Sequence, residues 1–283
     1  MTNSEFWTSH NVTMHRSFTS REDSLNYLDW RNSQYPFYDE LMPCSGFDNK
    51  VVLDYGCGPG NDLVSLIEYS RPQKVYALEI SASSLDEAKK RVLLHPNSNT
   101  VEYFLIRESE ALPIKSDSID YIHCTGVLHH VSNVEKVLEE FHRILKPGGL
   151  IRIMVYNYNS LWVHLYVAYE RQILHRIDTN LSLSEAFRRS TDGEECPVSR
   201  YYTREDFISL CAESGFKAEY KGTAISLHEM SLLSKRFNTV GEIKLNKIHR
   251  NFLRSLCFDE YGRPIYHGQV AGIDSVYELR KTD

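Results

Sequence analysis

A glycine-rich segment carries the residue types best suited to bind a small ligand through the backbone. Asp54 precedes three glycines spaced two apart, Gly56, Gly58 and Gly60. Glycine lets the chain turn sharply and lets a ligand approach without a Cβ in the way. The apolar residues of 62–69 then follow helical spacing. A glycine loop that opens a helix directs backbone N–H groups at a ligand, so this segment predicts a cofactor site.

A second acid is placed to complete such a site. Glu79 ends the apolar segment 74–79, which predicts a second strand shortly after the glycine loop. In nucleotide-binding α/β units, a carboxylate at this position accepts hydrogen bonds from the ribose hydroxyls. We therefore expect Glu79 to bind a ribose, with a solvated acid at a strand end as the alternative.

Three further side chains could act on a substrate. His130 follows the predicted fourth strand, and a histidine can exchange a proton near neutral pH. Tyr156 and Tyr158 follow the predicted fifth strand, where their hydroxyls could orient an acceptor or their rings could surround a cation. We take these three as catalytic candidates, with structural roles as the alternative. We predict no metal site, because no third ligand stands at a recognisable spacing.

The elements that must position these residues alternate between strands and helices. Short connections between them favour a doubly wound parallel sheet, in which ligands bind beyond the carboxyl ends of the strands. The predicted strands lie at 51–55, 74–79, 103–106, 118–124, 150–156, 216–221 and 273–280.

Four phrases in residues 51–156 resemble those of a known family. They are LDYGCGPG, ESEALPIKSDSIDYI, GVLHHV and EFHRILKPGGLIRI. In order and spacing this segment is similar to class I S-adenosylmethionine-dependent methyltransferases, including the quinone-biosynthesis C-methyltransferases. The resemblance implies a Rossmann-like seven-stranded sheet whose last strand is antiparallel. It also implies S-adenosyl-L-methionine as cofactor and S-adenosyl-L-homocysteine as product.

The resemblance also assigns cofactor contacts by position. Asp54 and the three glycines would hold the methionine part, and Glu79 the ribose. The adenine would meet Ile80, Glu108 and Ser109, and the backbone carbonyl of Cys124 would receive the amino group. Two residues depart from the family pattern, because Glu108 is one methylene longer than the usual acid and Tyr55 is bulkier than the usual aliphatic residue.

Composition limits the class of protein. The chain has 283 residues and a net charge of −6, so no overall basic field recruits nucleic acid. No apolar run approaches the roughly 18–20 residues of a membrane-spanning helix, and no signal peptide opens the chain. Six scattered cysteines favour reduced thiols in a cytoplasmic protein. Residues 2–4 predict a frayed start.

The chain is longer than the core of this family, and the additions predict a substrate-binding cap. We expect an N-terminal helical arm at 1–48 and a cofactor-binding core at 49–156. A largely helical cap insertion should follow at 157–200. The C-terminal part of the core should span 201–283, with a helical insertion at about 224–268 that includes a helix at 240–258.

These observations favour an enzyme that transfers a methyl group to an O, N or C atom of a small-molecule acceptor. The acceptor would attack the sulfonium methyl in line, and a base is needed only where the acceptor must lose a proton. A non-catalytic cofactor-binding scaffold is the first alternative. An NAD-dependent oxidoreductase is the second, which the glycine spacing disfavours. The acceptor, the methylated atom and the oligomeric state stay open.

Overall fold

The computed structural model describes residues 2–13, 15–108 and 110–282. Seven of its strands form the main sheet, and three short ones form a separate small sheet. In chain order the strands are β1 Val51–Tyr55, β2 Lys74–Glu79, β3 Val101–Leu105, β4 Ile119–Thr125, β5 Leu145–Tyr156, β6 Phe216–Ala224, β7 Cys257–Phe258, β8 Pro264–Tyr266, β9 Gln269–Val270 and β10 Asp274–Lys281.

Helices cover the sheet and extend beyond one of its edges. A π-helix spans Trp162–Leu174, and short 3-10 turns lie at Ser98–Thr100, Leu128–His130 and Leu233–Lys235. The α-helices are α1 Asn3–Ser9, α2 Arg21–Ser33, α3 Tyr38–Leu41, α4 Asn61–Tyr69, α5 Ala82–Val92, α6 Val134–Ile144, α7 Leu183–Thr191, α8 Arg204–Glu213, α9 Leu227–Leu232, α10 Arg236–Gly241 and α11 Lys247–Ser255.

The strand order of the main sheet confirms the predicted fold. The order is β3-β2-β1-β4-β5-β10-β6, and β10 runs antiparallel to both of its neighbours. The chain reverses its winding direction between β1 and β4, which are parallel neighbours. A crevice forms at such a switch point beyond the carboxyl ends of the strands, and ligands bind there in doubly wound sheets.

The two faces of the sheet explain why its central strands are almost continuously apolar. Val52 on one face packs with the α4 and α5 side, and Leu53 on the other packs in the cluster that contains Phe141 of α6. A strand that is buried on both faces has no solvent-exposed side, so its sequence does not alternate between apolar and polar residues. Side-chain caps fix the helix starts, as where Ser81 accepts a hydrogen bond from the backbone N–H of Ser84 at α5.

Two predicted helical segments are divided in the structure. Within the N-terminal arm predicted at 1–48, α2 and α3 are separated at Pro36 and at Phe37, which has a left-handed φ of 68°. The helix predicted at 240–258 begins at Lys247 behind an Asn246 cap, and its last predicted residues form β7. Proline lacks an N–H and disfavours helix continuation, so the first break has a local cause.

The expectation of a frayed N-terminus is wrong. Thr2 caps α1 in a reciprocal capping box with Glu5, and the side chains of Asn3 and Phe6 are buried. Phe6 also stacks on His10, with ring centroids 4.4 Å apart. The small polar residues at 2–4 therefore mark the start of a helix, because such residues are favoured at helix N-termini.

The additions pack on one another beyond the carboxyl edge of the sheet. The π-helix shares an apolar cluster with α9 and α11, which includes Leu165, Leu232 and Phe252. Its other side packs against Phe187 of α7. We call the π-helix, α7 and the helices α9 to α11 the cap. Within the described part of the chain, no helix is both long and apolar enough to cross a membrane.

Candidate functional site

A cavity of about 540 Å³ lies at the switch point between β1 and β4. Its volume is in the range of small-molecule and cofactor sites. The glycine loop and Glu79 line one end, which we call the cofactor end. Tyr156, Trp162 and Asp274 line the other, which we call the acceptor end. Core and cap thus enclose a continuous space.

The three glycines of the loop have different physical roles, although all adopt positive φ. A Cβ on Gly56 would collide with Val127, and a Cβ on Gly60 would lie 3.3 Å from Ala88 of α5. Gly58 lines the cavity, and a Cβ there would meet no atom within 4 Å. Gly60 therefore permits helix packing, whereas Gly58 keeps ligand space open.

Glu79 is held rigidly beneath the cofactor end. Its carboxylate accepts backbone hydrogen bonds from Gly58, Ile80 and Ser81, each at 2.8 Å. Burial raises the pKa of this carboxyl, while the three donors act in the opposite direction. Its oxygens can accept more than one hydrogen bond each, so the group keeps capacity for ligand hydroxyls.

Asp54 in β1 and Asp62 in α4 lie on either side of the glycine loop, and their pKa values are shifted in opposite directions. The Asp62 carboxylate accepts a hydrogen bond from Arg31 at 2.8 Å and contacts Nε2 of His123 at 3.2 Å. Despite burial, these neighbours hold the pKa of Asp62 well below its usual range. Asp54 has an oxygen without a hydrogen-bond partner among the described residues, and burial raises its pKa to about 7.

The remaining cofactor candidates divide between cavity and core. Ile80 and Glu108 line the cavity, and Asn3 of α1 donates a hydrogen bond to Glu108 at 2.6 Å. The Cys124 side chain is buried in the core, but Thr125, the next residue, lines the cavity. Ser109 lies outside the described residues.

His130 lines the cavity, but its environment does not suit a general base. Its Nδ1–H donates to the carbonyl oxygen of Val198 at 2.7 Å, and Nε2 lies 3.3 Å from an Asp192 oxygen. Burial alone would lower its pKa, but Asp192 raises it to about 10. Both ring nitrogens thus face partners, and Asp192 favours the protonated ring, so the geometry suits a role in holding Asp192 in place.

Tyr156 and Tyr158, predicted together, occupy different surroundings. Tyr156 lines the cavity, stacks on His129 with ring centroids 3.6 Å apart, and donates its hydroxyl to Asp192 at 3.2 Å. Tyr158 does not line the cavity; its ring packs against His164 and Tyr201 within the cap. Successive strand residues point to opposite faces, but the chain leaves β5 at Tyr156, so sequence spacing could not place Tyr158.

The fold brings possible metal ligands together that spacing did not reveal. Asp192 and Cys196 both approach His130. Cys196 Sγ lies 3.8 Å from Nδ1 of His130, whereas Asp192 approaches Nε2. The two groups thus face different nitrogens of one ring, and Nδ1 is already bonded to Val198. A shared ion needs its ligand atoms to converge, so this geometry favours an ion pair over a metal centre.

Several residues of the site were not assigned to it from the sequence. Asp62 had a local signal, because it is an acid in the first turn of a helix opened by a glycine loop. Asp274 also had one, because an acid stands at the start of an apolar strand. Asn3 and Asp192 had none, since their relation to the site depends on tertiary packing. The four line the cavity along with Tyr35 and Tyr38.

Comparison with known proteins decides the family. The family model described as "Methyltransferase domain" matches residues 29–221, more than half of the chain. The chain belongs to the class I S-adenosylmethionine-dependent methyltransferases. The predicted family, fold and cofactor are thereby confirmed.

Curated relatives of this methyltransferase act on more than one kind of acceptor. The ubiquinone/menaquinone biosynthesis C-methyltransferase of Syntrophotalea carbinolica is 27% identical over 59% of this chain and 68% of its own length. The human tRNA N(3)-cytidine methyltransferase is 24% identical over 70% of this chain and 66% of its own. For the Escherichia coli K12 tRNA 5-carboxymethoxyuridine methyltransferase these values are 28%, 46% and 49%. The chain thus matches about half to two thirds of its relatives' lengths.

Solved structures share the fold at low identity. Phosphoethanolamine N-methyltransferase 2 of Haemonchus contortus has a TM-score of 0.56 at 16% identity, covering all of this chain and 60% of that one. Geranyl diphosphate C-methyltransferase of Streptomyces coelicolor has a TM-score of 0.53 at 13% identity, covering 99% and 96%. These likenesses extend through the cap but concern the fold alone.

The methyltransferase cavity fits its cofactor on three observations of its own residues. Gly58 leaves open space where any other side chain would intrude. Asp54 presents a buried oxygen without a partner among the described residues, which a ligand donor can satisfy. Glu79 is fixed by backbone donors at the end of β2, where a ribose is expected.

Proposed function

We propose that this methyltransferase acts on a small-molecule acceptor enclosed between the core and the cap. The observation that carries the proposal is the continuous cavity lined by Gly58 and Glu79 at one end and by Tyr156 and Trp162 at the other. An acceptor at the second end shares a water-restricted space with the cofactor at the first.

The residues of the cofactor end have distinct tasks in this proposal. Asp54 and the glycine loop hold the methionine part, Glu79 holds the ribose, and Ile80 and Glu108 border the adenine. S-adenosylmethionine, when bound, supplies an electrophilic methyl group on a sulfonium centre. The chain aligns the acceptor behind that group, and such alignment can contribute roughly 7–11 kcal/mol to lowering the barrier.

A small acceptor is favoured over a tRNA by charge and enclosure. The net charge of −6 opposes binding of a polyanion, which needs clustered basic side chains. The buried carboxyl group of Asp274 at the acceptor end would add to that repulsion when ionised. The tRNA-modifying relatives keep a tRNA acceptor as the second candidate.

A labelled-methyl experiment tests the proposal. The protein is incubated with S-adenosylmethionine carrying a labelled methyl group, together with either a small-metabolite extract or total tRNA. We expect label in a metabolite and none in tRNA. Label in tRNA alone would replace the small-molecule proposal with the tRNA reading. Cofactor binding with no labelled product in either sample would support the scaffold alternative.

A further inference from the structure

Asp274 is a buried carboxylate without a partner at the acceptor end of the cavity. It begins β10 between Tyr156 of β5 and Ala224 of β6, and its residue is 4% exposed. Its side chain lines the cavity and makes no hydrogen bond or ion pair with any described residue. An ionised group removed from water is costly unless a counter-charge or donor meets it, so its placement implies a ligand.

A second unpaired carboxylate lies directly behind this position. Glu229 is fully buried, and one of its oxygens accepts hydrogen bonds from the backbone N–H and the hydroxyl of Ser226, both at 3.0 Å. Ser226 itself lines the cavity. Among the described residues no cation pairs with Glu229. Asp274 is one of the groups that raise the pKa of Glu229, so the two carboxyl groups are electrostatic neighbours.

The other charged groups that face the acceptor end are already paired. Arg31 is bound to Asp62, and His130 is paired with Asp192. Asp274 and Glu229 are therefore two buried acids without an ion-pair partner among the described residues, and a bound cation would favour their ionised form. Burial raises the pKa of Asp274 to about 7 and that of Glu229 to about 8, and the charge of Arg31, which acts in the opposite direction on Asp274, does not offset burial.

Aromatic rings surround the same space. Tyr35, Tyr156 and Trp162 line the acceptor end with Asp274. The negative charge of Asp274 is the largest influence on the hydroxyl of Tyr35, whose pKa it raises, so the two groups are electrostatic neighbours. Aromatic faces attract a cation, and the attraction grows when the cation is removed from water. The buried acid and the aromatic rings thus both favour a positively charged ligand.

We propose that the acceptor end binds a small molecule that carries an ammonium group, with the ammonium against Asp274 and between the rings of Tyr35, Tyr156 and Trp162. This inference rests on the proposed function, because it names the class of the small-molecule acceptor. The competing ligand is a neutral polyhydroxyl compound that hydrogen-bonds to a protonated Asp274.

Calorimetric titration of the protein saturated with S-adenosyl-L-homocysteine tests the charge preference directly. The probes are two matched pairs: tyramine with 4-propylphenol, and choline with 3,3-dimethyl-1-butanol. In each pair the members share their shape and differ in the ammonium group. We expect a cation to bind at least ten-fold more tightly than its neutral counterpart in one pair or both. The Asp274→Asn variant should lose that preference while binding S-adenosyl-L-homocysteine as the parent does.

A surface variant controls for net charge. Glu260→Gln removes one negative charge from an exposed turn away from the cavity and should keep the full preference. The inference is overturned if no cation binds, if each neutral partner binds equally well, or if Asp274→Asn keeps the preference. Label transfer to a neutral metabolite, with no preference for cations, would overturn this inference and leave the proposed function standing. Absence of any labelled product would contradict the proposed function, while the titration still decides whether a cation site exists.

Discussion

Two carboxylates separated by eight residues show how local surroundings set the chemistry of a side chain. Arg31 balances the charge of Asp62, which therefore stays ionised. This ion pair holds the loop and α2 in place. Asp54 keeps a buried oxygen without a partner in the described structure. We infer that Asp54 faces the ligand and Asp62 supports the loop, because Arg31 already balances the charge of Asp62 whereas an oxygen of Asp54 lacks a donor among the described residues.

The role of Gly58 can be separated from its backbone strain by a matched pair. Gly58→Val should weaken binding of S-adenosyl-L-homocysteine at least 100-fold, because the side chain would occupy ligand space. Gly46→Val carries a similar backbone cost, since Gly46 has a φ of 88° and open surroundings, but it lies outside the cavity. Ligand-induced thermal shifts measure both variants. A normal shift in Gly58→Val would contradict the assignment of the loop.

For His130 we predict a positioning role in place of base catalysis. His130→Gln should retain most methyl transfer, since an amide can still donate a hydrogen bond to Asp192. His130→Ala should slow it by roughly 10-fold or more, with unchanged cofactor affinity. The pH–rate profile of the parent should show no limb near 6.5 that depends on His130, because Asp192 raises the pKa of His130 to about 10. A limb near 6.5 that disappears in His130→Gln would restore the base assignment.

Among the secondary-structure elements, α1 closes the cofactor end from the N-terminal side. The amide nitrogen of Asn3 donates to Glu108 at 2.6 Å and to the carbonyl oxygen of His130 at 2.8 Å. Trp7 adds an edge contact to His130, with ring centroids 4.9 Å apart. The helix therefore bridges the segment after β3 and the 3-10 turn at 128–130.

Asn3→Asp tests this bridge with minimal change of shape. It places a second carboxylate against Glu108, and the repulsion should displace α1 and weaken S-adenosyl-L-homocysteine binding by roughly 10-fold. In the double variant Asn3→Asp with Glu108→Gln, an amide faces the new carboxylate and should restore much of the affinity. Titration calorimetry compares the three proteins. Unchanged affinity in the single variant would mean that α1 does not close over the cofactor.

Two tyrosines at the end of β5 differ in position, because Tyr156 lines the cavity and Tyr158 packs against His164 and Tyr201. Tyr156→Phe removes the hydroxyl bonded to Asp192 and should lower kcat/KM for the acceptor about 10-fold, with cofactor affinity within a few-fold. Tyr158→Phe is the matched control and should behave like the parent, because Tyr158 packs away from the cavity. Equal losses in both variants would assign the two tyrosines to the stability of the fold.

For the whole molecule, buried acids make stability depend on pH in an unusual direction. The pKa values of Asp54 and Asp274 are raised to about 7, chiefly by burial. A raised pKa means that the folded state keeps a proton which the unfolded state has released. Each acid therefore lowers stability progressively as pH rises from about 4 to its folded value. The Asp192 carboxylate acts oppositely, because its lowered pKa costs stability only on acidification.

Asp274→Asn isolates this contribution to the free energy of unfolding. The free energy of unfolding of the variant minus that of the parent should increase as the pH rises from 4. It should be constant above about pH 7. The gain corresponds to up to about 4 kcal/mol, from the pKa shift at 1.36 kcal/mol per unit. Urea unfolding at pH 4, 5.5 and 8 measures it. A difference that stays constant with pH would show that Asp274 titrates normally.

The core of this methyltransferase could be predicted from its sequence because the signals are local. Strand β1 is an apolar run, and the glycines after it bend the chain. Ser81 caps α5 and Asn133 caps α6. Each depends on neighbours within a few residues, as secondary structure and turn geometry do. Glu79 belongs with them, because the end of β2 is fixed relative to the loop by strand pairing.

The acceptor end was decided by tertiary structure alone. Tyr35, Asp192 and Asp274 come from the N-terminal arm, the cap and the last strand, and meet where those elements pack at the cavity. Their pKa values follow from burial and from each other's charge, which no sequence spacing encodes. His130 makes the same point, because its residue type indicated a base whereas its contact with Asp192 raises its pKa and favours the protonated ring. Local patterns thus determined the fold and the cofactor, whereas long-range packing determined the charge and shape offered to the acceptor.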